Sequence, residues 1–111
     1  MIPDENYVLR SATLFLIGGV GFLVRRNVII TLMSIEVMLN AANLALVAFN
    51  RSRTWHPVVS GAPGQSHTGQ VFAFFIIAAE AAEVAVGLAI VLSLYRLRRT
   101  VRSDEADLLK N

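Results

Sequence analysis

Apolar residues gather into three long runs separated by short polar stretches. The first extends from about Val8 to Val24, the second from about Val28 to Phe49, and the third from about Val71 to Leu94. Each is of the length a helix needs to cross about 30 Å of hydrocarbon. Inside lipid a segment must satisfy its own backbone polar groups, so each run is expected to be an α-helix. The ten-residue alternating stretches of a membrane barrel do not occur. The pattern therefore predicts an all-α integral membrane protein, a single membrane domain over residues 1–111 with three transmembrane helices. Arg10 sits in the opening turn of the first span, where its long side chain can reach the headgroups. Asp4 and Glu5 precede that span where a signal peptide has basic residues, so it is expected to stay in the mature protein.

The connections differ in kind. Only Arg25, Arg26 and Asn27 lie between the first two spans, which predicts a tight antiparallel hairpin. Residues 50–70 hold Trp55, Pro57, Gly61, Pro63, Gly64 and Gly69, the composition of an irregular external loop, with Trp55 as an interfacial anchor. The tail, residues 95–111, mixes basic and acidic residues and is expected to be a solvated extension or a contact with another subunit.

Composition sharpens this picture. The chain of 111 residues is 55% hydrophobic and 16% charged, against averages of about 45–50% and about 25% in soluble domains. Those values exclude a disordered chain, and the lack of cysteine excludes a disulfide-stapled secreted domain. The net charge of +2 would suit nucleic acid only if the basic residues shared one folded surface, and here they separate apolar spans, so no nucleic acid partner is expected. The turn and tail carry Arg25, Arg26, Arg96, Arg98, Arg99, Arg102 and Lys110, whereas the opposite side carries Arg10, Arg51 and Arg53. By the positive-inside rule the N-terminus is outside and the C-terminus cytoplasmic.

Three carboxylates remain within the spans: Glu36 in the second, Glu80 and Glu83 in the third. Each costs about 2.5–3.5 kcal/mol near the bilayer centre on the insertion scale, so each needs a reason. Glu36 lies roughly 12 Å, and Glu83 roughly 16 Å, from the cytoplasmic ends of their spans. At such matched depth the two could exchange a proton through one or two waters. Asn40 and Asn43 follow Glu36 at i+4 and i+7 on one helical face, where their amides could donate to its carboxylate; they could equally be interhelical hydrogen-bonding groups. Glu80 and Glu83 share one side of the third helix, and two ionised carboxylates that close in low dielectric repel, so the pair is expected to retain at least one proton. Glu80 is thus a possible proton relay or a polar seam residue bonded to a neighbouring helix. Small residues, including Gly18, Gly19 and Gly21 in the first span and Ala78, Ala79, Ala81, Ala82, Ala85, Gly87 and Ala89 in the third, allow close helix approach. Three helices cannot by themselves shield three acids from lipid, so the chain is expected to work within a larger membrane assembly.

Other chemistry is thinly represented. His56 and His67 have no ligand-spaced partners, so no metal site is expected, and no phosphate-binding loop or catalytic triad pattern is present. The chain offers nothing to hold a redox cofactor, and no catalytic residue is assigned.

Taken together, Met1-Ile2-Pro3, the turn Arg25-Arg26-Asn27, the stretch Ser34-Ile35-Glu36-Val37-Met38-Leu39-Asn40-Ala41 and the stretch Ala82-Glu83-Val84-Ala85-Val86-Gly87-Leu88-Ala89-Ile90 resemble the K subunit of respiratory complex I, the 4L subunit of the mitochondrial enzyme. The resemblance covers all three spans. It implies a non-catalytic membrane subunit of a proton-translocating NADH:quinone oxidoreductase, with proton-translocation roles on Glu36 and Glu83 and a functional cytoplasmic turn at Arg25 and Arg26. It also implies antiporter-like and quinone-site membrane subunits as partners in the lipid bilayer, and a bacterial inner membrane as location. NADH, FMN, iron-sulfur clusters and quinone would belong to other subunits. Two features depart from the family pattern: Glu80 stands where an uncharged residue is usual, and the 50–70 stretch is longer. The alternative is the small three-helix subunit of a multisubunit cation/proton antiporter.

Overall fold

The computed structural model describes residues 3–55, 67–99 and 101–105, with backbone alone for 52–55 and 105. They form α1 (Asp4–Val24), α2 (Val28–Trp55) and α3 (Thr68–Arg98), followed by one 3₁₀ turn, Ser103–Glu105. All three helices are long and apolar enough to cross a membrane. They continue past the apolar runs at several ends, because intrahelical hydrogen bonding does not stop at the edge of the hydrocarbon. At about 1.5 Å per residue, the 31 residues of α3 span about 46 Å. Residues 50–55 thereby extend α2 and 68–70 begin α3. Residues 56–66, with His56, and the Trp55 side chain lie outside the described residues.

The middle helix, α2, packs against both others. On one side Ser34, Met38 and Ala41 meet α1: the Ser11 hydroxyl donates to the Ala41 carbonyl at 2.6 Å, and Gly18 lies against Ser34 and Met38. On the other side Leu32 faces Gly87, Asn43 faces Glu80 and Asn50 faces Gly69 of α3. Two residues along a helix turn it by about 200°, so the Ser34 and Leu32 seams run along opposite sides of α2. The α1 seam depends on the missing side chain of Gly18. A Cβ there would stand 2.6 Å from the Met38 Cγ and 2.9 Å from the Ser34 carbonyl oxygen, and the second of these is backbone. The α3 seam uses Ala73, Glu80, Gly87 and Val91, buried at steps of seven and four residues.

The α1–α2 turn and the tail meet at one end of the bundle. Arg25 leaves α1 in an extended conformation. Asn27 then caps α2, its side-chain oxygen accepting the Ile29 N–H at 2.9 Å and its carbonyl accepting the Thr31 N–H at 2.9 Å. At the far end of α3, Arg99 adopts the left-handed conformation (φ 56°) and donates its N–H to the Tyr95 carbonyl. This reverses the chain, and the tail pairs with the turn: Val28 N–H donates to the Val101 carbonyl and Ser103 N–H to the Arg26 carbonyl, each at 2.9 Å. Asp104 completes the clamp, 3.3 Å from Arg26 and 3.0 Å from Arg102. Partial desolvation pushes the Asp104 carboxyl up, but hydrogen bonding and charge from Arg102, a backbone hydrogen bond and Arg26 outweigh it and hold it below the usual carboxylate range. At the opposite end Asp4 pairs with Arg51 at 3.5 Å, and the Arg51 guanidinium lies 5.5 Å from the Tyr7 ring centre. Both partners of that pair are substantially exposed, so it contributes about 0–1 kcal/mol.

Gly18→Ala should therefore force α1 and α2 apart and destabilise the hairpin by about 1–3 kcal/mol, whereas Gly19→Ala, with nothing within 4 Å of the added Cβ, should be close to neutral. Thermal dissociation of the solubilised assembly, followed subunit by subunit, distinguishes the two; equal effects would contradict the packing account. For the tail, only the part of the Asp104 depression that comes from Arg26 favours docking, since Arg102 lies in the tail itself; that part is present above about pH 3.9 and is lost as the pH falls through the folded value. The Arg26–Asp104 pair is exposed and the backbone pairing remains without it, so Asp104→Asn should loosen the tail rather than release it, read as modestly faster tryptic cleavage after Arg102.

Candidate functional site

The contacts between α2 and α3 fix their antiparallel register. From Leu32 to Asn50 is 18 residues along α2, and from Gly87 back to Gly69, their respective partners, is 18 residues along α3. Four residues on from Leu32 is Glu36; four residues back from Gly87 is Glu83. The two carboxylates thus stand at the same level of the seam. Glu80 lies one turn further from the tail end, opposite Asn43.

All three acids line one crevice, with Leu32, Leu39 and Val84 as its apolar walls. It has room for about one water. Within it the acids are not equivalent. Glu36 and Glu83 stand exposed at its rim, while Glu80 is only 8% exposed. The Asn43 amide nitrogen donates to Glu80 Oε1 at 3.3 Å, joining the helices across the seam. Asn43 is itself 8% exposed, and its side-chain oxygen has no hydrogen-bond partner.

Of the two readings open for the asparagines, donors to the Glu36 carboxylate or interhelical hydrogen-bonding groups, Asn43 follows the second and Asn40 neither. Asn40 is exposed and donates to the backbone carbonyl of Glu36 at 3.0 Å, within its own helix. Asn43 reaches α3. The reason is angular: Leu32, Glu36, Leu39 and Asn43 follow the seam, and position 40 falls one residue to the side of it. The pairing of Asn43 with Glu80 has a partial signal in the sequence, since both residues occupy seam positions of apolar helices, but periodicity does not say which polar groups meet.

The remaining candidates lie elsewhere. Arg25 and Arg26 are exposed at the α1–α2 turn, far along α2 from the acids, and Arg26 is engaged by the tail. His67 contacts the Gln70 side chain at 3.0 Å. Among the described residues no group of three or more His, Cys, Asp or Glu could hold a metal ion. The chemistry available at the crevice is proton binding and release at carboxyl groups, with space for about one water in the crevice they line.

Two likenesses to known proteins bear on this site. The family model for NADH-ubiquinone/plastoquinone oxidoreductase chain 4L matches residues 6–111. The chain is also similar to NADH-quinone oxidoreductase subunit K of Sorangium cellulosum (strain So ce56), with 57% identity over 110 residues, covering 99% of this chain and 97% of the relative. Both matches are to oxidoreductase chains, which sets aside the cation/proton antiporter alternative.

The two asparagines provide a test of the geometry. Asn43→Ala should weaken the α2–α3 contact by about 0.6–2 kcal/mol, as for interhelical hydrogen bonds in membranes, and Asn40→Ala should change it by less than about 0.5 kcal/mol. Thermal dissociation of the assembly measures both, and a larger loss at Asn40 would refute the assignment.

Proposed function

Because the chain belongs to the family of NADH-quinone oxidoreductase chain 4L, we propose that Glu36 and Glu83 are the groups through which it takes part in proton translocation. It is a membrane subunit of NADH-quinone oxidoreductase, and proton translocation is the general role of its family. The single observation that supports the residue assignment is the crevice: two carboxylates level with each other on facing helices, with room for about one water. A proton bound at Glu36 passes through that water to Glu83, or in reverse, when quinone reduction elsewhere in the complex changes the local field. The subunit is non-catalytic: it moves protons, and NADH, FMN, iron-sulfur clusters and quinone are handled by other subunits.

The exposure of Glu36 and Glu83 in this chain supports the rest of the reading. A carboxylate facing lipid is costly, so the rim of the crevice is covered by neighbouring membrane subunits, the antiporter-like and quinone-site subunits. Ala78, Ala79, Ala81, Ala82, Ala85 and Ala89 are exposed on α3 and permit close approach of such neighbours. The turn and tail, with their excess of arginine, face the cytoplasm and the N-terminus faces outward, in a bacterial inner membrane. Arg25 and Arg26 form a functional surface on the cytoplasmic side.

Glu36→Gln and Glu83→Gln, each in an assembled complex reconstituted into vesicles, should lower proton pumping per quinone reduced. Full pumping in both variants would rule the assignment out. A purely structural role would reduce assembly and leave the activity of each assembled complex intact.

A further inference from the structure

Glu80 is the least solvent-accessible of the three acids, and the proton path just described does not use it. Its surroundings contain two irregularities. The first is the bond from Asn43, which at 3.3 Å is longer than the roughly 2.7–3.2 Å usual for an N–H···O hydrogen bond. The second is the Asn43 side-chain oxygen, buried and without a partner. A buried acceptor of this kind calls for a donor. The charged groups that share the crevice with Glu80 are Glu36 from α2 and Glu83 from its own helix, both acids and neither a donor when ionised.

One rearrangement gives the buried amide oxygen its donor, with the amide nitrogen taking the place the oxygen held, on the side away from Glu80. An amide exchanges its oxygen and nitrogen by rotation about its terminal torsion. A carboxylic acid, unlike a carboxylate, has an O–H to donate. With the amide turned, the Glu80 O–H donates to the Asn43 oxygen; with the amide as described, the Asn43 nitrogen donates to an ionised Glu80.

We propose that Glu80 is a third proton-holding residue of the crevice, and that the Asn43 amide turns with its protonation state, accepting from the acid and donating to the carboxylate. The proton released from the Glu80 carboxyl passes to the crevice water and on to an ionised Glu36 or Glu83; Glu80 is left as a carboxylate held by the Asn43 N–H. Protonation of one carboxyl on α3 is thereby coupled to the orientation of one amide on α2. The inference rests on the assignment of the crevice to proton translocation, which it deepens by adding a buried member.

The test uses the assembled complex in vesicles. Glu80→Gln keeps a side chain that can both accept from and donate to Asn43, yet it cannot release a proton, so a merely structural Glu80 would leave pumping unchanged. The expected drop in coupled pumping is on the order of tenfold, smaller than the roughly hundredfold or more of a sole general acid or base, because Glu36 and Glu83 remain. Infrared difference spectra taken on quinone reduction should show a carboxylic acid C=O band that Glu80→Gln removes and Asn43→Leu shifts. Wild-type pumping in Glu80→Gln, or a band indifferent to both substitutions, would overturn the proposal. If Glu80→Gln does not assemble, Asn43→Leu, which retains Glu80, decides by the band alone. Full pumping in Glu36→Gln and Glu83→Gln would strike the underlying assignment instead, and the Glu80 band is read independently of it.

Discussion

A carboxyl group inside hydrocarbon must receive its polar company from protein or trapped water, because lipid offers none. That requirement sorts the faces of α2. Toward α1 the helix offers Ser34, Met38 and Ala41 to the small residues Ser11 and Gly18, and the contact is close, with hydroxyls returning their bonds to backbone carbonyls. Toward α3 it offers Glu36, Leu39 and Asn43 to Glu80, Glu83 and Val84, and the contact leaves a crevice. One face excludes water to hold the hairpin together, while the other keeps room for it. The missing Cβ of Gly18 and the water-sized space beside Glu80 are thus two answers to one question, how near a neighbouring helix is allowed to come.

The termini of the helices are held by different means. At the turn, backbone pairing between Val28 and Val101 and between Arg26 and Ser103 docks the tail, and Asp104 adds charge to that docking. At the opposite end Asp4 forms an exposed ion pair with Arg51, backed by the Tyr7 ring. Docking the tail over the turn places Asp104 on Arg26, one of the two arginines proposed as a functional surface. Access to that surface therefore depends on where the tail lies, a link between the end of the chain and the hairpin that hydropathy alone does not contain.

Much of this was legible in the chain of residues. Three apolar runs and a three-residue polar break gave three helices and a hairpin, because in lipid the backbone has few alternatives. Matching depths for Glu36 and Glu83 followed from helix rise alone, and the contacts of Leu32 with Gly87 and of Asn50 with Gly69 set the two level. What periodicity could not supply was the identity of neighbours. It placed Asn40 and Asn43 on the face of Glu36, yet Asn40 turns to its own backbone and Asn43 to Glu80. Helix ends were also understated, since the apolar run marks where hydrocarbon stops and the hydrogen-bonded helix continues. Tail docking was illegible because it runs through backbone groups, which every residue has.

The central claim is that Glu36 and Glu83 face each other across a water-holding crevice closed by the rest of the complex. A structure of the assembled complex at a resolution that shows ordered water tests it most directly. A water is expected within hydrogen-bond reach of both carboxyl groups, with a neighbouring subunit covering the rim. Apolar side chains filling the space between Glu36 and Glu83, or lipid lying against either carboxyl, would contradict it.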